Sequence, residues 1–235
     1  MNRAIISGDI IASTSLNGTD RIKIGESLKV LTEELAENFN VYSRSTEGDD
    51  SIVCYIPNIS DALRVMLAIK CFIKSIQIST LDSAYQDDYR VKFFKMHGIR
   101  LAMGIGELSR LDIENGIFDG EAIYYAGRLL SENKTYNKGK IIIKNTLFLK
   151  SNDKEFDDEV SPLLSLLDVI ISKCTAKQSE VLYLKLLGND EAVIAEKLHK
   201  KQPTINEHST QAGWNAIEKA VKRFEDIVLN KKVIV

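Results

Sequence analysis

Ala4-Ile5-Ile6-Ser7-Gly8-Asp9-Ile10 is the stretch from which the fold can be read. Residues 4–7 form a short apolar run and Gly8-Asp9 closes it, the pattern of a buried strand stopped by turn residues. Apolar residues then return at Ile24, Leu28, Leu31 and Leu35, a spacing that lines one face of an amphipathic helix. Residues 41–45 and 51–56 are two extended runs joined by Thr46-Glu47-Gly48-Asp49-Asp50, whose Gly-Asp chemistry suits a hairpin. Ser60 stands where it can cap a second helix carrying Ala62, Met66, Ile69, Ile73 and Ile76.

Polar residues 79–90 read as a long loop or an insertion. Ile99-Arg100-Leu101-Ala102-Met103 leads into Gly104-Ile105-Gly106 as a further strand, with the apolar run 140–143 as its expected partner and a helix over 121–132 between them. The order β-α-β-β-α-β-α-β defines a ferredoxin-like α+β layer, one mostly antiparallel sheet with helices on a single face. Asp153, Glu155, Asp157, Asp158 and Glu159 precede Pro162, and this polar shift marks 151–161 as a linker. The expected division is an α+β domain at 1–150 and an all-helical domain at 162–235, with no internal repeat.

Lys and Arg number 31 against 33 Asp and Glu, a formal charge of −2, so no global basic field attracts polyanions and any nucleic acid must be engaged locally. Cys54, Cys71 and Cys174 are far apart, with neither the even count of a disulfide framework nor a metal-binding pair spacing, and read as reduced. No signal peptide opens the chain and no run of about eighteen apolar residues occurs, so the expectation is a soluble cytoplasmic protein without a membrane partner.

In the C-terminal part, Thr175-Ala176-Lys177-Gln178 opens a helix that Gly188-Asn189 stops, residues 191–198 form a short second helix, and Pro203 sits at the start of a third. Ala195, a turn near His199, and Ile205 supply the small packing residue, the sharp turn and the apolar anchor of a helix-turn-helix, with His199 in place of the usual glycine. In such a module Gln202, Thr204, Asn206 and Gln211 face base edges of duplex DNA, while Lys200, Lys201 and Lys197 neutralise phosphates. From Pro162 onward the chain resembles the fourth region of sigma factors and similar helix-turn-helix regulators.

Four N-terminal pieces, Ile6-Ser7-Gly8-Asp9-Ile10, Glu47-Gly48-Asp49, Ile99 to Gly106, and Asp119-Gly120-Glu121-Ala122-Ile123-Tyr124-Tyr125-Ala126-Gly127-Arg128, together resemble the catalytic domain of class III nucleotide cyclases. That resemblance implies Asp9 and Asp49 as ligands of Mg²⁺ or Mn²⁺ bound with a nucleoside triphosphate, and Arg128 as the stabiliser of transition-state charge. It also implies a head-to-tail homodimer in which each chain holds half a site. The chain departs from the family at three nucleotide-binding positions: Tyr124 replaces the asparagine that orients the ribose, and Ser45 and Ile117 replace polar purine-reading residues.

Over nearly its full length the chain is more similar to the SatD family, small bacterial proteins with a cyclase-like domain followed by a helix-turn-helix. The resulting expectation is a DNA-binding transcriptional regulator whose degenerate cyclase-like domain dimerises and senses a nucleotide or metal. The alternatives are an active nucleotidyl cyclase and a purely structural oligomerisation protein.

Overall fold

The computed structural model describes all residues except 1, 14–15, 46–49, 79–88, 135, 138–139, 142 and 232–235, with backbone only at 45, 89–90, 136–137, 140–141 and 231. The sheet is built from β1 (Asn2–Ile10), β2 (Tyr42–Ser45), β3 (Ser51–Ile56), β4 (Ile99–Asp112), β5 (Ile117–Gly120) and β8 (Leu147–Ser151). Its order is β2-β3-β1-β4-β5, antiparallel throughout, with β8 parallel to β4. The helices of this part are α1 (Gly18–Phe39), α2 (Ala62–Ser75), α3 (Tyr89–His97) and α4 (Glu121–Glu132).

Gly8 and Asp9 do not stop β1. Gly8 stays in the ladder, opposite Ile52 and Leu101, and Asp9 opposite Ser51 and Arg100. A Cβ on Gly8 would lie 2.5 Å from Leu101 Cδ2, so the glycine serves close packing inside a strand.

Alternation along the strands sorts side chains onto two faces. Ala4, Ile6, Cys54, Leu101 and Met103 belong to the large core that includes Leu28, Leu31 and Leu35 of α1 and the buried face of α2. Ile5, Tyr55 and Ala102 face the other way, packed with Ala122 and Ala126 of α4. Helices therefore cover both faces, not the single face expected. Gly104 makes the second covering possible: a Cβ there would sit 1.9 Å from the Ala122 carbonyl oxygen, so only a glycine lets α4 lie this close.

Three other expectations are corrected. Of the run 140–143, Lys140–Ile141 (β7) pairs with Tyr136–Asn137 (β6) in a separate ribbon, and β8 takes the expected place beside β4. Within the expected loop 79–90, residues 79–88 are outside those described and Tyr89 begins α3. The span 151–161 is not a linker but the end of β8 and the first turns of α5 (Lys154–Ser172), a helix containing Pro162 and capped by Asp153, which accepts from Phe156 N–H. The acidic residues follow helix-terminus physics, since Glu155 and Asp157 occupy the first turn, where the helix dipole favours negative charge.

Four helices follow: α6 (Ala176–Leu186), α7 (Glu191–Lys197), α8 (Gln202–Gln211) and α9 (Trp214–Lys231). Thr175 and Gln178 form the reciprocal capping box at the start of α6. This helix lies along α2, where Phe72 and Tyr183 meet edge to face at 4.9 Å, and the Tyr183 hydroxyl donates to Glu34 of α1. In α9, Phe224 packs on Phe156 of α5 and Glu225 accepts from Arg64 at 2.7 Å. Among the described residues, no helix is long and apolar enough to cross a membrane.

Candidate functional sites

Asp9 and Arg100 are direct partners across the β1–β4 ladder. Arg100 grips the carboxylate with both edges of its fork, Nε to Oδ1 at 2.9 Å and Nη2 to Oδ2 at 2.5 Å, a bidentate charge-assisted pair. Its remaining nitrogen, Nη1, donates to the carbonyls of Leu130, at 3.0 Å, and Asn133 at the end of α4. Cationic donors are favoured there by the helix dipole. Both Asp9 oxygens are thus engaged by a buried guanidinium. Asp49 lies outside the described residues. Among the described residues, no group of three His, Cys, Asp or Glu side chains is arranged to hold a metal.

Tyr124 and Arg128, four residues apart on α4, share its exposed face. Arg128 Nε donates to Glu132 Oε1 at 2.8 Å, and Tyr124 is 74% exposed. With Phe118, Asp119, Ile123 and Gly127 they line an open groove of about 550 Å³. Phe118 stacks on Tyr55 at 5.9 Å, and Tyr55 meets Tyr42 at 6.1 Å. Ile117 pairs with Asp112 at the start of β5 and Ser45 with Ile52 at the end of β2. Asp9 meets α4 at its C-terminal carbonyls through Arg100, whereas the partner of Arg128 is Glu132.

The second candidate site is the α7–α8 corner. Asp190 caps α7 by accepting from Ala192 and Val193 N–H. His199 adopts φ 51°, the left-handed conformation expected of a residue in the glycine position of a sharp turn. Pro203 is the second residue of α8, one place later than expected, and its missing N–H costs no intrahelical bond. Ile205, Ser209 and Ala212 are buried, while Lys200, Lys201, Gln202, Asn206 and Gln211 are exposed and Thr204 is half-buried.

Two of these side chains have partners that the sequence did not indicate. Asn206 Nδ2 lies 3.3 Å from both carboxylate oxygens of Glu191, which also accepts from Lys185 at 3.0 Å. The Lys185 bond holds the Glu191 carboxyl below its usual range. Gln211 donates to Glu207 at 3.0 Å and accepts from Gln178 at 3.2 Å. Charge also divides unevenly along the chain: from Lys173 onward eleven Lys and Arg stand against eight Asp and Glu, whereas the preceding residues carry twenty against twenty-five.

No family model matches the chain, and no curated protein matches it. Among solved structures the chain is similar to a bacterial light-regulated adenylyl cyclase, with TM-score 0.40 and 15% identity over 63% of this chain and 74% of that one. A second structure of a bacterial light-regulated adenylyl cyclase gives TM-score 0.40 and 13% identity over 63% of this chain and 42% of that one.

Proposed function

We propose that this chain is a DNA-binding regulator, with α7 and α8 as a helix-turn-helix and α8 entering the major groove. The observation that carries the reading is the His199 turn. It sets α8 so that Ile205 and Ser209 pack inward while Gln202 and Asn206 face solvent beside Lys200 and Lys201. That combination supplies both parts of duplex recognition, cations for phosphates and amides for base edges. The excess of Lys and Arg after Lys173 puts the attraction in the same part of the chain. The test is retardation of a random duplex by the full chain at low salt. Binding that weakens steeply with added salt is expected; mobility no different from that with an acidic control protein overturns the reading.

The sheet part, with its central order β2-β3-β1-β4, serves in this reading as the dimerising unit. The α4 groove joins the exposed Tyr124 and the half-buried Phe118 and Ile123 to one acid, Asp119, and one base, Arg128. Such a face is self-complementary about a twofold axis. A twofold pair presents two copies of α8 to two half-sites. A nucleotidyl cyclase is the weaker reading, because Asp9 is engaged by Arg100, Arg128 by Glu132, and Tyr124 replaces the ribose-orienting asparagine.

A further inference from the structure

We propose that Asn206 selects an adenine in each half-site, with Glu191 as the positioning residue that fixes which way its amide points. The inference rests on the DNA-binding reading above and adds a specificity to it.

The outward face of α8 carries Gln202, Asn206 and Thr210 at successive turns, all exposed. Of the three, Asn206 has its amide nitrogen held by Glu191. An ionised carboxylate only accepts hydrogen bonds, so it must face the NH₂ end of the amide. Glu191 is in turn anchored by Lys185 and also contacts the Ser209 hydroxyl at 3.5 Å. That leaves the second N–H and the carbonyl oxygen of Asn206, for which no partner occurs among the described residues, to meet a base together. A donor beside an acceptor is the pattern that matches adenine, whose major-groove edge offers N7 as acceptor and the N6 amino group as donor. Guanine presents two acceptors there and repels the amide oxygen.

The neighbouring amide is less able to read a base. Gln211 donates to Glu207 and accepts from Gln178, so both ends of its amide are held within the protein. The commonest reader of guanine is arginine, and no arginine occurs between Lys173 and Gly213. The cations that flank the face, Lys197, Lys200 and Lys201, are exposed lysines at the turn and at the N-terminal side of α8, placed for phosphates.

The experiment is selection of bound duplexes from a randomised pool by the full-length protein at low salt, followed by affinity measurements on the selected duplex and its single-base variants. Wild type is expected to enrich an adenine at one position per half-site and to lose about tenfold or more in affinity when that base is changed. Asn206→Ala should keep binding to the unselected pool within about twofold and lose the discrimination. Glu191→Ala should weaken discrimination, and Glu191→Gln, which retains an acceptor, should restore part of it. Pool binding without an enriched adenine, or an Asn206→Ala protein that still prefers adenine, overturns this inference and leaves the DNA reading standing. Failure of the wild type to retain any duplex overturns both.

Discussion

Lys70 of α2 and Asp168 of α5 face each other in the interior with Nζ and Oδ1 3.6 Å apart, and Thr146 completes the link between them. The Thr146 N–H and hydroxyl each donate to one oxygen of Asp168 at 2.5 Å, and Lys70 donates to the Thr146 hydroxyl and, at 2.7 Å, to the Ile99 carbonyl. One turn on, Lys74 donates to the carbonyls of Met96 at 2.5 Å and Lys95 at 3.0 Å. Two lysines of one helix thereby hold the end of α3, the start of β4, the approach to β8, and α5. Burial lowers the Lys70 pKa to about 8, with Asp168 opposing the shift.

Breaking this pair from one side is expected to be costly. Asp168→Ala leaves a fully buried ammonium without its carboxylate and should destabilise the chain by about 3–5 kcal/mol in urea titration. The double variant Lys70→Met with Asp168→Leu removes both charges and should recover part of that loss, giving a clear coupling energy in a double-mutant cycle. A cost below about 1 kcal/mol for Asp168→Ala would show that the pair does not hold α5 in place.

The same interior makes stability depend on pH through His97, the last residue of α3. Its Nδ1 is buried without a hydrogen-bond partner. Desolvation lowers its pKa to about 4, the charge of Lys70 adds to the effect, Asp168 opposes it, and Lys74 contributes a little more. The folded-state pKa lies below the unfolded value of about 6.5. The unfolded chain therefore binds the proton first on acidification. The stabilising contribution is complete above about pH 6.5 and is lost progressively as pH falls toward about 4. Urea midpoints measured across that window should decline in the wild type and decline less in His97→Gln; parallel slopes for the two proteins would remove His97 from the account.

Much of the sheet was legible because its strands and helices have different periods. The runs at residues 4–7, 51–56 and 99–103 and the spacing of Leu28, Leu31 and Leu35 all fall on elements of the expected kind. What failed was reading glycine and acidic residues only as punctuation. Gly8 sits inside a strand, and the acids before Pro162 stabilise a helix start. Periodicity also did not reveal the second covered face, because α4 packs through Ala122 and Ala126 against Gly104, a contact made of small residues. In the candidate sites, the left-handed turn at His199 followed from local chemistry. The partners of Asp9 and Asn206 did not: Arg100 and Glu191 are 91 and 15 residues away, and a pairing across such separations leaves no local pattern.

Two glycine substitutions should separate packing from propensity. Gly104→Ala places a methyl inside the Ala122 backbone and should cost at least about 2 kcal/mol, with α4 displaced from the sheet. Gly127→Ala lies in the same helix, where a Cβ would meet nothing within 4 Å. Replacing it should raise stability by about 0.5–1 kcal/mol, because alanine loses less backbone entropy in a helix. Thermal melts of the pair moving in the same direction would contradict the arrangement of α4 on β4.

Lys200 and Lys201 give the decisive test of where DNA lies. Both are exposed at the turn that precedes α8. A lysine on a phosphate releases about one counterion, so removing it lowers affinity for all sequences and reduces the dependence of log K on log salt by about 1. Lys200→Ala with Lys201→Ala should therefore lower the slope by about 2 and weaken binding to selected and unselected duplexes alike. Gln202→Ala, which removes no charge, should leave the slope unchanged. Anisotropy titrations over a range of salt measure both quantities. If the double lysine variant keeps the wild-type slope while the protein still binds DNA, the duplex lies on another surface, and the exposure of α8 must have a different cause.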